Sequence, residues 1–223
     1  MKARTIIRAT ALTAIAAWIA SATLAQSDNR VLARAFPAKL LVSKASCTTP
    51  EWPMEARRYE IEGVTLLHFH IGDDGGIDGA KVAGTSSWKL LDEAALRSLV
   101  QCKFKPGLAA ERDATYTIQF VWTLSGPPSA RPQLVEDSCA PSARFSKFQP
   151  YNRNATARDG VLLRFLVNPK GEPIGVKAEA DGAFQEAGAA AAEYVKRCRF
   201  ALDPAMPGEK TDTVFGRVLS INK

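Results

Sequence analysis

The chain is poor in the residues that most hydrolytic and metal chemistry needs. It has only two histidines, His68 and His70, and they sit two residues apart on one alternating stretch. There is no GxSxG turn, so a serine nucleophile has neither its elbow nor a separately placed base. No Walker or dinucleotide-binding glycine pattern occurs. Asp73, Asp74 and Asp78 lie among glycines but lack EF-hand spacing and its terminal glutamate, so they read as a hairpin turn. His68 and His70 share a strand face without a third ligand in register, and read as exposed strand residues. These absences predict a non-catalytic protein with no cofactor, no metal and no catalytic residues. No Lys/Arg cluster is interleaved with aromatics, which argues against nucleic acid. After residue 25 no apolar run is long enough to cross a bilayer.

The first 25 residues read as a signal peptide. Lys2, Arg4 and Arg8 precede an apolar core from Ala9 to Ala20, and Ala20-Ser21-Ala22 and Thr23-Leu24-Ala25 supply small residues for cleavage. The alternative is an uncleaved membrane anchor facing the periplasm, at the short end of spanning length. The segment holds three of the 29 basic residues and none of the 23 acidic ones, so the remainder carries a net charge of +3, an ordinary surface.

Four cysteines remain, Cys47, Cys102, Cys139 and Cys198, none in a CxxC pair. In an exported chain they are expected as disulfides. A repeat suggests the pairing. Cys102-Lys103-Phe104 matches Cys198-Arg199-Phe200, while Cys47 and Cys139 each precede one copy. Of three connectivities, only Cys47–Cys102 with Cys139–Cys198 treats both copies alike.

The organisation follows: signal peptide 1–25, leader 26–46, first copy 47–125, a Pro-rich extended linker 126–138, and a divergent second copy 139–223. In the first copy Met54 to Tyr59 reads as a short helix after Pro53. Thr65, Leu67, Phe69 and Ile71 form one face of a strand, the Gly-rich turn follows, and Ile77 to Gly84 returns. An amphipathic helix from about Trp88 to Cys102 carries Leu91, Ala95, Leu99 and Cys102 on its apolar stripe, with Asp92 and Glu93 near its start to complement the dipole. Thr115 to Leu124 alternates as a strong strand. The second copy repeats the order. Gln149-Pro150-Tyr151 stands where Trp52-Pro53 stood, Val161 to Val167 forms a strand, and Pro169-Lys170-Gly171 turns it. Ile174 to Ala180 returns, an Ala-rich helix presents Phe184, Gly188, Ala191, Val195 and Cys198, and Thr213 to Ile221 is the last strand.

Trp52-Pro53 before Ala56-Arg57, Glu62-Gly63, the Asp74-Gly75 turn, Ser86-Ser87, Leu91-Asp92-Glu93-Ala94-Ala95-Leu96 and Phe104-Lys105-Pro106 together resemble the C-terminal domain of the TonB family. The resemblance covers about Pro50 to Leu124; the second copy shares only the pattern and the Cys-Arg-Phe helix end. It implies an α+β protein of two small repeated domains, each a three-stranded antiparallel sheet with helices on one face. It further implies that the last strand lies at a sheet edge and pairs with an added strand of a partner protein. An unpaired edge offers rows of N–H and C=O groups for this. In this sequence that strand is Tyr116, Thr117, Ile118, Gln119, Phe120, Val121, Trp122, Thr123 and Leu124, and a proline at Ile118 is expected to remove a ladder donor.

The expected function is therefore an exported periplasmic protein-binding module, with an outer-membrane receptor or another envelope protein as partner. TonB transducers carry a histidine in the anchor and a long Pro-rich spacer. Neither is here, so a membrane-anchored energy transducer for receptor-dependent transport is the second reading. A homodimer through paired sheet edges is the third.

Overall fold

The computed structural model describes residues 33–107, 113–150, 160–180 and 184–221. The expected signal peptide and the first residues of the leader lie outside them. Residues 32–223 form one compact unit. In the leader, Arg34–Ala35 is a short strand (β1), followed by 3-10 turns over Ala38–Leu40 and Lys44–Ser46. Met54–Arg58 is the short helix α1, entered through Pro53.

Gly63–Ile71 (β2) and Ile77–Gly84 (β3) form the expected hairpin. Its turn is closed by Gly75 N–H donating to Gly72 O and by the Asp74 carboxylate accepting from Gly76 N–H at 2.8 Å. Lys89–Leu99 (α2) runs over the hairpin, and Tyr116–Trp122 (β4) returns antiparallel to β2. The alternation of β2 places Thr65, Leu67, Phe69 and Ile71 in the core beneath Leu91, Ala95 and Leu99 of α2.

Gln133–Leu134 (β5) and Phe145–Pro150 (β6) precede Val161–Val167 (β7) and Pro173–Ala178 (β8). Gln185–Val195 (α3), Phe200–Ala201 (β9) and Thr213–Ser220 (β10) complete the chain. The two large sheets have the orders β1-β4-β2-β3 and β6-β10-β7-β8. Each is thus the expected antiparallel three-stranded sheet with its helix on one face, extended by a fourth strand from the segment that precedes it. The repeat holds to single rungs: Phe104 N–H donates to Gly75 O at 2.7 Å, and Phe200 N–H to Gly171 O at 2.9 Å. Both glycines have positive φ, and a Cβ on either would strike the facing phenylalanine carbonyl. Cys47 is bonded to Cys102 and Cys139 to Cys198.

Three local expectations are corrected. Gln149 and Pro150 do not stand in the place of Pro50-Glu51-Trp52-Pro53 before a helix; they end β6, paired with Arg217 and Gly216. Phe184 is 70% exposed rather than part of the helix stripe, whereas Ala191, Val195 and Cys198 are buried. The segment 126–138 is packed, not an extended spacer. β5 pairs with β9, Ala130 N–H donates to Glu209 O at 2.7 Å, and Ala130 is buried. The Ala-rich α3 lies close on its sheet, as its small residues predict: a Cβ on Gly188 would come within 2.9 Å of Ala180 Cβ and 3.1 Å of Ala178 Cβ.

The two halves join through one face of the second sheet. Leu163 and Phe165 of β7 point to α3, while Leu162, Leu166 and Phe215 on the opposite face of the same sheet pack against the first half's core. Trp88 meets Phe215 edge-on, with ring centroids 5.4 Å apart. A sheet buried on both faces reads as a continuous apolar run, which is what Val161-Leu162-Leu163-Arg164-Phe165-Leu166-Val167 shows apart from its arginine.

Candidate functional site

β4 is built for pairing on both sides. Its side chains alternate, with Tyr116 and Trp122 buried, Ile118 and Phe120 packed against the same core, and Gln119 and Val121 exposed, Val121 to 62%. The aromatic stripe Tyr116, Phe120 and Trp122 is therefore core, not a ligand groove. The backbone of β4 has one ladder to β2, from Gly63↔Trp122 to Phe69↔Tyr116. Among the described residues its other side is met only by β1, in parallel, at Arg34↔Tyr116 and Ala35↔Thr117. Among the described residues no strand pairs with Ile118 to Trp122 on that side. Thr123 and Leu124 lie past the strand end, where Leu124 N–H donates to Glu62 Oε1 at 2.7 Å.

Hydrogen-bond direction along the strand decides which residues a partner would reach. Arg34 N–H donates to Thr115 O at 2.8 Å, so Thr115 directs its carbonyl to the β1 side. Because a strand alternates, Thr117, Gln119 and Val121 present N–H and C=O to that same side, and Tyr116, Ile118, Phe120 and Trp122 present theirs to β2. A proline at Ile118 would thus break the internal ladder with Leu67 rather than test the edge; the informative positions are Gln119 and Val121.

The corresponding strand of the second half is covered over more of its length. β6 lies antiparallel on β10 from Gly216↔Pro150 to Ser220↔Phe145, and β7 covers the other side. The two halves therefore differ where a strand could be added: β6 pairs with five of the eight residues of β10, Gly216 to Ser220, whereas β1 pairs with two of the seven residues of β4.

Three arginines hold the first half against the second. Arg131, from the segment between the halves, donates to Glu60 at 3.0 Å, to the carbonyl of Thr213 at 3.2 Å and to the Thr213 hydroxyl, and stacks on Phe215 at 4.4 Å. Burial lowers its pKa, opposed by the charges of Glu60 and Glu62. Arg164 is 7% exposed and pairs with Glu179 and, at 3.1 Å, with Glu55. Burial pushes the Glu55 carboxyl up, but the hydrogen bond from Lys177 and the charge of Arg164 outweigh it and hold the group below its usual value. Arg58 grips both oxygens of Asp212 at 2.8 and 2.7 Å, which lowers the Asp212 pKa. None of these contacts has a sequence signal beyond charge.

Asp92 also has a different task from the expected one. It is buried and accepts from Thr65 Oγ1 at 2.8 Å, from Ser86 N–H at 2.9 Å and from Thr85 Oγ1, tying α2 to β2 and to the loop before the helix. His68 and His70 lie half-buried on the face of the first sheet away from α2, and His70 Nδ1 is 3.1 Å from Ala114 O. His70, Asp73, Asp78 and Asp113 line an open cavity. Among the described residues no group of three or more His, Cys, Asp or Glu side chains could hold a metal ion. Likewise no described helix is long and apolar enough to cross a membrane. The two disulfides fit an oxidising compartment.

Residues 48–124 match the family described as Gram-negative bacterial TonB protein C-terminal. Among solved structures, the C-terminal domain of Pseudomonas aeruginosa TonB, determined by solution NMR, is similar at 21% identity. That match covers 37% of this chain and 85% of the other, with a TM-score of 0.32. No curated protein matches the chain. The matched segment spans α1, the β2–β3 hairpin, α2 and β4, and residues 48–124 are a TonB C-terminal-like domain, a module of the kind that interacts with proteins.

Proposed function

We propose that the protein is an exported, non-catalytic periplasmic module that recruits a partner protein by adding the partner's strand to the outer edge of β4. The observation that carries this reading is the stretch Ile118 to Trp122, paired to β2 on one side and to no described strand on the other. Backbone hydrogen bonds to an edge supply affinity, and alternate side chains supply selectivity. Gln119 and Val121 furnish both, since their backbone groups point outward and their side chains are exposed. An outer-membrane receptor or another envelope protein is the partner class, following the TonB C-terminal likeness. The two modules work as one unit, the second serving as a support.

A photo-crosslinking side chain at Gln119 in living cells tests this. A protein adduct is expected, and it should disappear when Val121→Pro is added, because that change removes an outward N–H while leaving the ladder to β2 whole. An adduct that persists in a correctly folded Val121→Pro protein, or no adduct at all, sinks strand addition.

A further inference from the structure

The edge of β4 is not wholly vacant, and what occupies its beginning has a counterpart in the second half. β1 meets β4 over two residues, both exposed, in parallel. The next residue, Phe36, places its ring 6.0 Å from Phe69 and 5.8 Å from Phe104. In the second half Phe148, on β6, stands 5.7 Å from Phe165 and 5.4 Å from Phe200. Phe69 and Phe165 hold the same place on their strands, and Phe104 and Phe200 close the same rung against Gly75 and Gly171. Each half therefore has an aromatic slot beside its edge strand, filled by a segment of the chain itself. In the second half the filler is a strand paired antiparallel from Phe145 to Pro150. In the first half it is one ring and two parallel residues.

We propose that residues 33–36 are a built-in competitor for the strand-addition site, so that a partner gains the full edge of β4 by displacing β1 and placing its own aromatic side chain where Phe36 sits. This rests on the reading of β4 as the docking edge and adds its regulation and the chemistry of its ligand. The arm has a fixed base. Leu41 bridges Phe104, Lys105 N–H donates to Leu40 O at 2.8 Å, and Val42 N–H donates to Lys103 O at 3.1 Å. Displacement can therefore pivot at Pro37 without loosening the leader beyond it. The ligand is an antiparallel extended segment patterned like β6, with Phe145 and Phe148 buried and Ser146, Lys147, Gln149 and Pro150 exposed. A self-segment that must leave lowers apparent affinity by the fraction of time it is in place.

The probe is a synthetic peptide, Arg-Phe-Ser-Lys-Phe-Gln-Pro, the sequence of residues 144–150. It is titrated into the disulfide-bonded chain while the backbone amides of Gln119 and Val121 are followed by NMR. Wild type, Phe36→Ala and Arg34→Pro are compared. Arg34→Pro removes the N–H that bonds Thr115 O and leaves the core rings in place, so it decides the matter if Phe36→Ala folds poorly. The peptide is expected to perturb Gln119 and Val121 in all three, with the variants binding on the order of tenfold tighter than wild type. Equal affinity across the three overturns the competitor role while strand addition stands. No perturbation of Gln119 and Val121 in any of them overturns strand addition and the competitor role together.

Discussion

Arg164→Ala should cost far more than a surface charge, and the structure says where the cost arises. The guanidinium is 7% exposed, lies 5.7 Å over the Tyr59 ring, and is paired with Glu179, whose side chain is equally buried, and with the half-exposed Glu55. Truncation leaves Glu55 with Lys177 at 2.6 Å, so that carboxylate stays compensated. Among the described residues the Glu179 carboxylate keeps only the Lys89 N–H, at 3.2 Å. Stranding one member of a buried pair typically costs about 3–5 kcal/mol, and the lost packing against Tyr59 acts in the same direction. The double variant Arg164→Leu with Glu179→Leu should recover most of the loss, because apolar residues of similar size replace buried pairs at little or no net cost. The assay is urea unfolding at neutral pH for wild type, the single variant and the double variant. A loss below about 1 kcal/mol for Arg164→Ala, the range of an exposed pair, would refute the claim that the Arg164–Glu179 pair is dry and structural. So would a double variant no better than the single one.

Other outcomes follow from the same geometry. Ile118→Pro should lower stability by breaking the β2–β4 ladder at Leu67, whereas Val121→Pro should leave thermal unfolding nearly unchanged; the reverse order would show that the outward residues were misassigned. The depressed carboxyl pKa values of Asp212 and Glu55 mean that the native state releases these protons more readily than the unfolded chain does. Their contribution is present above the ordinary carboxylate pKa and is lost as pH falls through the lowered native values, so contact between the halves should weaken in acid. A Tm flat from neutral pH down to below the ordinary carboxylate range would contradict this. Removing the Cys139–Cys198 bond, which spans 59 residues, should destabilise by about 4 kcal/mol in the chain-entropy account, read from denaturant midpoints of the oxidised chain and the double serine variant. Intact mass from fractionated cells should show a chain starting at Thr23 or Gln26 in the periplasm, short of about four hydrogens; a chain starting at Met1 in the membrane fraction would favour the transducer reading instead.

The period of two in Gly63–Ile71 and Tyr116–Trp122, the glycines at the hairpin turns and the apolar stripe of Lys89–Leu99 are local signals, and each is legible without coordinates. So was the cysteine pairing, because a repeat carries its own symmetry. The residues of β4 could be named as a strand for the same reason. Which of its backbone groups face outward could not, since that depends on which side β2 occupies, and proline at Ile118 was misdirected as a test in consequence. Leader strand β1 has two exposed residues and no alternation, so only the tertiary structure places it on β4. β6 hides for another reason. Its burial repeats every three residues, Phe145 and Phe148 inward, with a register shift at Leu219/Ser220 that breaks the alternation a strand would show. Arg164 and Arg131 look like ordinary basic residues in the chain and become a buried and a partly buried tie only when the second sheet is covered on both faces. Periodicity and repeat determine what the elements are. How much of each outer strand the chain itself covers and which face is buried twice are matters of long-range packing, and those are the features on which binding turns.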